Sequence, residues 1–287
     1  MAPRTRRAAL VALGAAVAGS FAAPASAGTR QQDPAGRGKP PLLHAHAHND
    51  YEHPHPLMDA LSHGFNSVEA DIWLVDGALL VAHDASELDP ARTLEALYLD
   101  PLLRRVRANG GRVYRGYDLT LQLLIDIKTP GGPTYEELSR HLHHYRPMFS
   151  SCTGGRVRRG AVTAVVSGDR GARAPMEAEH VRHAFYDARL SDLGSGVPAS
   201  FAPLVSDDWG RFFTWQGTGP MPGRERAELR RIVATAHAAR QQVRFWATPD
   251  RPGPARDALW HELLAAGTDY LNTDDLAGLE AFLRAAR

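Results

Sequence analysis

The sequence predicts a single (β/α)₈ TIM barrel, an α/β fold. From Leu42 onward, short apolar runs alternate with helical patterns, which is typical of βα units that build a parallel sheet. About 245 residues follow that point, and such a barrel takes about 250. Polar or aromatic residues stand at nearly every predicted strand end, where barrel enzymes carry their active sites. These three observations favour one barrel domain over residues 42–287.

The elements follow from the spacing of apolar residues. Eight runs of the length and composition of strands lie at Leu42–Ala47, Ser67–Leu74, Leu121–Ile127, Ala161–Ser167, Ala184–Asp187, Pro203–Ser206, Val243–Ala247 and Tyr270–Asn272. Between them, helical periodicity predicts helices at Leu57–His63, Thr93–Arg107, Tyr135–Tyr145, Met176–Arg182, Arg224–Ala239, Ala255–Ala266 and Leu276–Ala285. Gly267 is expected to end the helix predicted at Ala255–Ala266. The residue that follows a helix often has a positive φ and is commonly glycine.

The first residues have the pattern of an export signal. Three arginines among the first seven residues precede the apolar run Ala8–Gly19 and the small-residue motif Ala25-Ser26-Ala27. We therefore predict a secretory signal peptide over 1–27, a disordered leader over 28–41 and the barrel domain over 42–287. The Arg6-Arg7 pair leaves general secretion and twin-arginine export both open. The predicted location is outside the cell.

Composition excludes several classes of partner. The chain is 44% hydrophobic and 23% charged, as is usual for a soluble enzyme, and its net charge of +1 argues against nucleic acid. After residue 27 no apolar run is long enough to span a membrane, so contact with a lipid surface would be peripheral. Cys152 is the only cysteine, which rules out an intramolecular disulfide and favours a buried thiol. A monomer is expected.

Three acidic residues near strand ends indicate a metal site. Glu69 and Asp71 alternate along one predicted strand, so both carboxylates face the same side of the sheet. Two carboxylates held together raise each other's pKa, and a divalent cation that prefers oxygen ligands, Mg²⁺ or Ca²⁺, would relieve that repulsion. A third acid, Asp126, and Lys128 end another apolar strand. With His48 and His83 nearby in the pattern, these residues predict metal-assisted acid–base chemistry on an anionic substrate.

Three motifs then carry a specific resemblance. They are His48-Asn49-Asp50-Tyr51, Val68–Leu74 (VEADIWL) and Arg244–Asp250 (RFWATPD). With them, the chain from Leu42 to Leu283 resembles the phosphatidylinositol-specific phospholipase C-like phosphodiesterase superfamily, which includes glycerophosphodiester phosphodiesterases and spider-type sphingomyelinases D. Within that superfamily the chain resembles the branch of the altered inheritance of mitochondria protein 6.

The resemblance implies a role for each matching residue. It implies that Glu69, Asp71 and Asp126 bind one divalent cation, and that His48 and His83 form a general acid–base pair. It also implies a substrate-binding group comprising Lys128, which faces the phosphate, together with Asn49, Trp246 and Asn272. The expected activity is that of a phosphoric diester hydrolase acting on a glycerophosphodiester- or phospholipid-like substrate.

Two departures from the family pattern leave the substrate open. Glycerophosphodiester phosphodiesterases carry His-Arg-Gly after the first strand, whereas Asn49 and Asp50 follow the histidine here, so the phosphate-binding arginine of that motif is absent. Asp126 stands where those enzymes usually carry glutamate, as in the sphingomyelinase D type. If water is the nucleophile the product is a monoester, and if a substrate hydroxyl attacks it is a cyclic phosphate. The sequence does not choose between them.

Two other functions fit parts of the pattern. Alternate histidines His44, His46 and His48 share one strand face and could bind zinc, as in binuclear metal hydrolases. That class needs further histidines at later strand ends, and apart from His83 the remaining candidates fall in predicted helices. They are His141, His143, His144, His180, His183, His237 and His261. A non-catalytic barrel that binds a lipid head group is the second alternative.

Overall fold

Eight parallel strands follow one another around a nearly closed barrel in the computed structural model, which describes residues 39–286. Twelve strands are present in this range: β1 Leu42–Ala47, β2 Phe65–Val75, β3 Ala78–Val81, β4 Leu121–Ile127, β5 Ser151–Thr153, β6 Arg156–Arg158, β7 Val162–Gly168, β8 Val181–Arg182, β9 Ala184–Ala188, β10 Leu204–Asp208, β11 Gln242–Trp246 and β12 Leu271–Thr273. The barrel order is β1-β2-β4-β7-β9-β10-β11, with β12 on the other side of β1. A parallel bridge between Arg244 on β11 and Tyr270, the residue before β12, links the two ends of this strand order. The predicted barrel is confirmed.

Helices cover the outside of this barrel. They are α1 Met58–His63, α2 Asp100–Ala108, α3 Gly131–His144, α4 Arg173–Ala178, α5 Trp209–Phe212, α6 Gly223–Ala238, α7 Pro254–Ala266 and α8 Leu276–Ala285. The predicted helix Thr93–Arg107 is divided, because a π-helical turn over Glu95–Leu99 precedes α2. Gly267 ends α7 with a φ of 85°, as expected. The described helices include none that is long and apolar enough to cross a membrane.

Two small features differ from the sequence-based prediction. Residues 179–182 do not continue a helix, because Arg182 pairs with Cys152 in a second, three-stranded sheet of β5, β6 and β8. β3 adds an antiparallel strand to β2 through a tight turn, in which Asp76 and Gly77 both have positive φ. An Asp-Gly pair favours such a hairpin turn, so the sequence did carry that signal. Cys152 is buried, as predicted.

A polar layer lies directly above an apolar layer inside the barrel. Leu124, Val165, Phe185, Leu204 and Tyr270 form one buried cluster with Cys152. Cys152 belongs to the second sheet, but the other five residues lie on barrel strands or, for Tyr270, directly before β12. Two residues after each of these five, and therefore on the same face, the side chain is polar: Asp126, Ser167, Asp187, Ser206 and Asn272. The apolar layer fills the barrel on the side of the amino ends of the strands, and the polar layer lines the mouth at the carboxyl ends.

The predicted signal peptide, residues 1–27, and most of the predicted leader lie outside the described residues. Neither prediction is tested by the structure.

Candidate active site

Three carboxylates meet at the mouth of the barrel. β2 and β4 are parallel neighbours, with Asp71 opposite Asp126 in the register, and Glu69 precedes Asp71 on the same face. One ligand oxygen from each residue lies within 4.8 Å of the others. Among residues 39–286, this triad is the one group of three or more histidine, cysteine or acidic side chains with the spacing to hold a metal ion. The structure therefore brings together the three residues predicted to bind a cation.

The triad suits a hard divalent cation. All three donors are carboxylates, which Mg²⁺ and Ca²⁺ prefer. Asp71 Oδ1 is buried and has no hydrogen-bond partner among the described residues, so a donor oxygen is left for a ligand. Burial, assisted by Glu69, raises the pKa of Asp71, and burial raises the pKa of Asp126 to about 6. A bound cation would offset this cost of holding ionised carboxylates out of water.

Lys128 lies between two members of the triad. Its Nζ is 2.8 Å from Asp71 Oδ2 and 3.2 Å from Asp126 Oδ1. Burial acts to lower the pKa of Lys128, but Asp126 and Asp71 outweigh it and the pKa lies above its usual value. The amine therefore remains a cation at the site where the resemblance implies a phosphate ligand.

Glu69 is held by two residues that the sequence did not single out for this role. Arg244 Nη1 on β11 donates to Glu69 Oε2 at 2.6 Å, and His46 Nε2 lies 2.9 Å from the same oxygen. Although burial alone would raise it, Arg244 and the His46 hydrogen bond hold the pKa of Glu69 well below its usual range. Arg244 is the first residue of the motif Arg244–Asp250. Its charge inside an otherwise apolar strand was the feature of the sequence that could have indicated a buried acidic partner.

The two histidines of the predicted acid–base pair are each anchored through Nδ1. His48 Nδ1 lies 2.8 Å from Asp274 Oδ1, which leaves Nε2 for the mouth of the barrel. Burial acts to lower the pKa of His48, but the hydrogen bond with Asp274 and the charge of Glu69 raise it above its usual value. His83 Nδ1 lies 3.2 Å from Asp71 Oδ2. A carboxylate partner at Nδ1 orients an imidazole for proton transfer through Nε2.

Tyr51 connects the loop after β1 to the triad. Its hydroxyl lies 2.6 Å from Asp71 Oδ2, 2.8 Å from Asn49 Oδ1 and 3.1 Å from His83 Nδ1. Asn49 has a φ of 45°, a left-handed conformation that asparagine tolerates better than most residues. This geometry brings Asn49 into the site, although through Tyr51 and not by direct contact with the carboxylates.

Trp246 and Asn272 end the neighbouring strands of the barrel. Trp246 is the last residue of β11 and is half-buried. Asn272 on β12 lies opposite His46 on β1, and its buried Oδ1 has no partner in the described part of the chain. Neither side chain bonds to the triad, so their predicted contact with substrate remains a prediction.

Asp50 underlies the loop that carries Asn49 and Tyr51. It is fully buried, and its Oδ2 accepts hydrogen bonds from the Leu57 amide at 2.5 Å and the Tyr98 hydroxyl at 2.9 Å. Burial raises the pKa of Asp50 to about 7, because these two bonds do not compensate for lost hydration. The folded protein therefore keeps this carboxyl protonated in a pH range where the unfolded chain releases the proton.

This burial predicts how Asp50 affects stability with pH. The protonated Asp50 carboxyl contributes to the free energy of unfolding. This contribution is fully present below the unfolded pKa of about 4 and is lost as pH rises through the folded pKa of about 7. An Asp50→Asn variant has no such proton. From about pH 5 to about pH 8, we expect its free energy of unfolding to rise by roughly 2 kcal/mol relative to the wild type. Urea denaturation at both pH values measures the change, and a constant difference between the two proteins would contradict it.

A second polar group lies on β9, two strands from Asp126 in the barrel order. Asp187 Oδ2 accepts hydrogen bonds from Ser167 Oγ at 2.8 Å, Ser206 Oγ at 2.6 Å and Arg189 Nη1 at 2.7 Å. Asp187 ends a predicted strand, but Arg189 was not identified from the sequence. The pairing of β7, β9 and β10 is what brings these residues together.

The alternate histidines do not form a shared site. His44 Nδ1 bonds to the carbonyl of Asp269, and His46 is buried with Nδ1 on Ser67 Oγ and Nε2 on Glu69. Burial and Arg244 lower the pKa of His46 to about 3. Two of the histidines expected in helices, His180 and His183, lie instead in loops, because α4 ends at Ala178. The described histidines thus give no support to a binuclear zinc site.

The fold and site define a TIM-barrel phosphodiesterase class, and comparison with known proteins agrees. The model of the AIM6-like phosphodiesterase domain matches residues 40–187, and that of the glycerophosphoryl diester phosphodiesterase family matches residues 242–277. The chain belongs to the AIM6-like phosphodiesterase family, which confirms the resemblance identified from the motifs.

Individual relatives extend this likeness over most of the described barrel. The chain is 30% identical to the altered inheritance of mitochondria protein 6 of Eremothecium gossypii, covering 86% of this chain and 71% of that protein. It is 27% identical to the Arthroderma benhamiae homolog, covering 83% and 82%. A solved glycerophosphoryl diester phosphodiesterase from Parabacteroides distasonis has a TM-score of 0.51 over 86% of this chain and 87% of its own, with 15% identity. That last similarity concerns the fold.

Proposed function

We propose that this protein is a secreted, metal-dependent phosphoric diester hydrolase that acts on a glycerophosphodiester- or phospholipid-like substrate. The observation that carries the proposal is the carboxylate triad beside two histidines, each anchored by a carboxylate at Nδ1. Secretion is proposed from the sequence of residues 1–27 alone. The proposed cofactor is one Mg²⁺ or Ca²⁺ ion, held by Glu69, Asp71 and Asp126.

Phosphodiester cleavage requires charge neutralisation and two proton transfers. A cation on the triad would supply a Lewis-acid charge for the phosphate oxygens. Lys128 adds a second positive charge next to Asp71 and Asp126, and it can bind a non-bridging oxygen. Burial around these groups strengthens each electrostatic contact, since little water screens it.

His48 and His83 would transfer the protons. One imidazole removes the proton from the attacking hydroxyl, and the other protonates the leaving oxygen. Asp274 stabilises the charged form of His48, and Asp71 lies beside Nδ1 of His83. Both rings can therefore present Nε2 to the substrate without losing their orientation. Attack by water gives a monoester, and attack by a substrate hydroxyl gives a cyclic phosphate.

The test is phosphorus NMR on a panel of glycerophosphodiesters, phosphatidylinositol, lysophospholipids and sphingomyelin, with Mg²⁺, with Ca²⁺ and with EDTA. We expect cleavage of at least one class of phosphodiester that EDTA abolishes, and the product shift separates a monoester from a cyclic phosphate. Cleavage that EDTA leaves unchanged would contradict the metal dependence. Binding of panel members without turnover would favour a head-group binding barrel instead.

A further inference from the structure

The guanidinium of Arg189 lies at the mouth of the barrel, among polar side chains of β7, β9 and β10. Its Nη1 donates to Asp187 Oδ2 at 2.7 Å and to Ser206 Oγ at 3.3 Å, and its Nη2 donates to Ser167 Oγ at 3.2 Å. Ser167 is the β7 partner of Asp126 in the strand register. Arg189 follows β9, which is two strands from β4 and its proposed metal ligand Asp126, and Ser167 on β7 lies between them.

Without the guanidinium of Arg189, the carboxylate of Asp187 would be a site for another cation. Asp187 is fully buried, Ser167 and Ser206 both donate to its Oδ2, and its Oδ1 has no partner in residues 39–286. A buried carboxylate needs a compensating positive charge. In a mouth that binds phosphodiesters, that charge could come from a cationic head group. In this chain Arg189 supplies it.

We propose that Arg189 is a specificity-determining residue, which occupies the cation site of Asp187 and so selects phosphodiesters with a neutral or anionic head group over those with an ammonium group. The inference rests on the proposed function of the same site. The charge of the head group would then define the class of substrate that the site accepts. A quaternary ammonium would meet a guanidinium at hydrogen-bond distance from Asp187, instead of a free carboxylate.

The surroundings of Arg189 add positive charge at the rim. Arg170 Nη1 donates to the backbone carbonyl of Asp187 at 2.9 Å, and its guanidinium stacks 4.2 Å from the ring centroid of Tyr186. The partners of Arg170 in these two contacts are a backbone carbonyl and an aromatic ring, so neither contact neutralises its charge. Burial lowers the pKa of Arg170, and the charge of Arg189 lowers it further, as expected for two neighbouring cations.

Other charges near this rim are paired or hydrogen-bonded. Arg173 binds Glu177 at 2.8 Å and Asp192 at 3.4 Å. Asp207 accepts a hydrogen bond from the Leu190 amide at 3.1 Å. Arg189 and Arg170 are the two arginines that contact Asp187, one at its carboxylate and the other at its backbone carbonyl.

A structural clamp is the competing explanation, because Arg189 also ties β9 to β7 and β10. The two roles differ in selectivity. A clamp stabilises the fold without distinguishing one ligand from another, whereas a specificity residue changes the ratio of two affinities. The experiment therefore measures a ratio and does not depend on turnover.

We would measure binding of phosphocholine and of glycerol 3-phosphate by calorimetry with Mg²⁺ or Ca²⁺ present. Both are phosphomonoesters, so the result does not depend on phosphodiester cleavage. We expect the wild type to bind phosphocholine at least about tenfold more weakly than it binds glycerol 3-phosphate. Arg189→Gln should gain at least about tenfold in phosphocholine affinity, because Asp187 is then free to bind the ammonium.

The double variant Asp187→Asn/Arg189→Gln is the matched control. It carries no buried charge at this position, so it should fold and should lose the gain in phosphocholine affinity. An unchanged ratio in Arg189→Gln, or the same gain in the double variant, would overturn the proposal. If Arg189→Gln does not fold, the wild type decides alone: equal affinity for both probes, or no binding of either, overturns the proposal. Failure of the proposed function is seen separately, as absence of cleavage in the phosphodiester panel.

Discussion

Replacing Asp126 with alanine is expected to reduce cation-dependent phosphodiester cleavage by at least about 10³-fold, because the triad loses one of its three donors. Two carboxylates would hold Mg²⁺ or Ca²⁺ more weakly. The variant should still fold, since alanine removes a carboxyl whose pKa burial raises to about 6 and leaves an apolar side chain in its place. Turnover under saturating cation and the cation affinity from calorimetry measure the two effects.

A matched control for Asp126→Ala is Asp118→Ala. Asp118 is exposed, and its partner Arg112 lies 3.4 Å away on the surface. Because exposed ion pairs contribute little to stability, this change should leave activity and cation affinity unaltered. Near-normal turnover by Asp126→Ala, with the same dependence on cation, would remove Asp126 from the proposed site.

His48→Gln is expected to lower the rate of cleavage by about 10²- to 10⁴-fold, the usual contribution of a general acid or base. Glutamine can still donate a hydrogen bond to Asp274 but cannot carry the proton. KM should change little, since the loss affects the transition state more than substrate binding. The wild-type rate should also depend on a group whose pKa lies above that of free histidine, and this dependence should disappear in the variant.

The control for His48→Gln lies on β1, the strand that immediately precedes His48. His44 on β1 bonds to the Asp269 carbonyl at the other end of the barrel, so His44→Gln should keep full activity. Equal losses in the two variants would mean that β1 tolerates neither change and that His48 has no special role. A His48→Gln enzyme with normal kcat would contradict the acid–base pair.

Much of the fold could be predicted because strands with buried faces have clear patterns. The bounds of β1, β4 and α8 agree with the apolar runs from which they were predicted. Glu69, Asp71 and Asp126 were predictable as neighbours for two reasons. Alternation along a strand places Glu69 and Asp71 on one face, and the active site of a barrel lies at the carboxyl ends of its strands, where Asp126 also stands. The C-terminal half of the helix predicted at Met176–Arg182 was wrong, because pairing with Cys152 made residues 181 and 182 a strand.

The partners of these residues could not be predicted from local patterns. Arg244 meets Glu69 across 175 residues of sequence, and Asp274 meets His48 across 226. Such contacts depend on the closure of the barrel and on the register of β11 and β12, which no short motif specifies. Arg189 likewise acquires its contacts only when β7, β9 and β10 bring two serines and Asp187 around it.

The most direct test of the central claim, that a divalent cation on this triad supports phosphodiester cleavage, is a titration of the EDTA-treated wild-type protein with Mg²⁺ and with Ca²⁺. Phosphorus NMR would follow cleavage of a panel substrate at each concentration. We predict no cleavage at the start and a saturable recovery that fits one cation site per chain. Full cleavage in EDTA, with no response to either cation, would contradict the account.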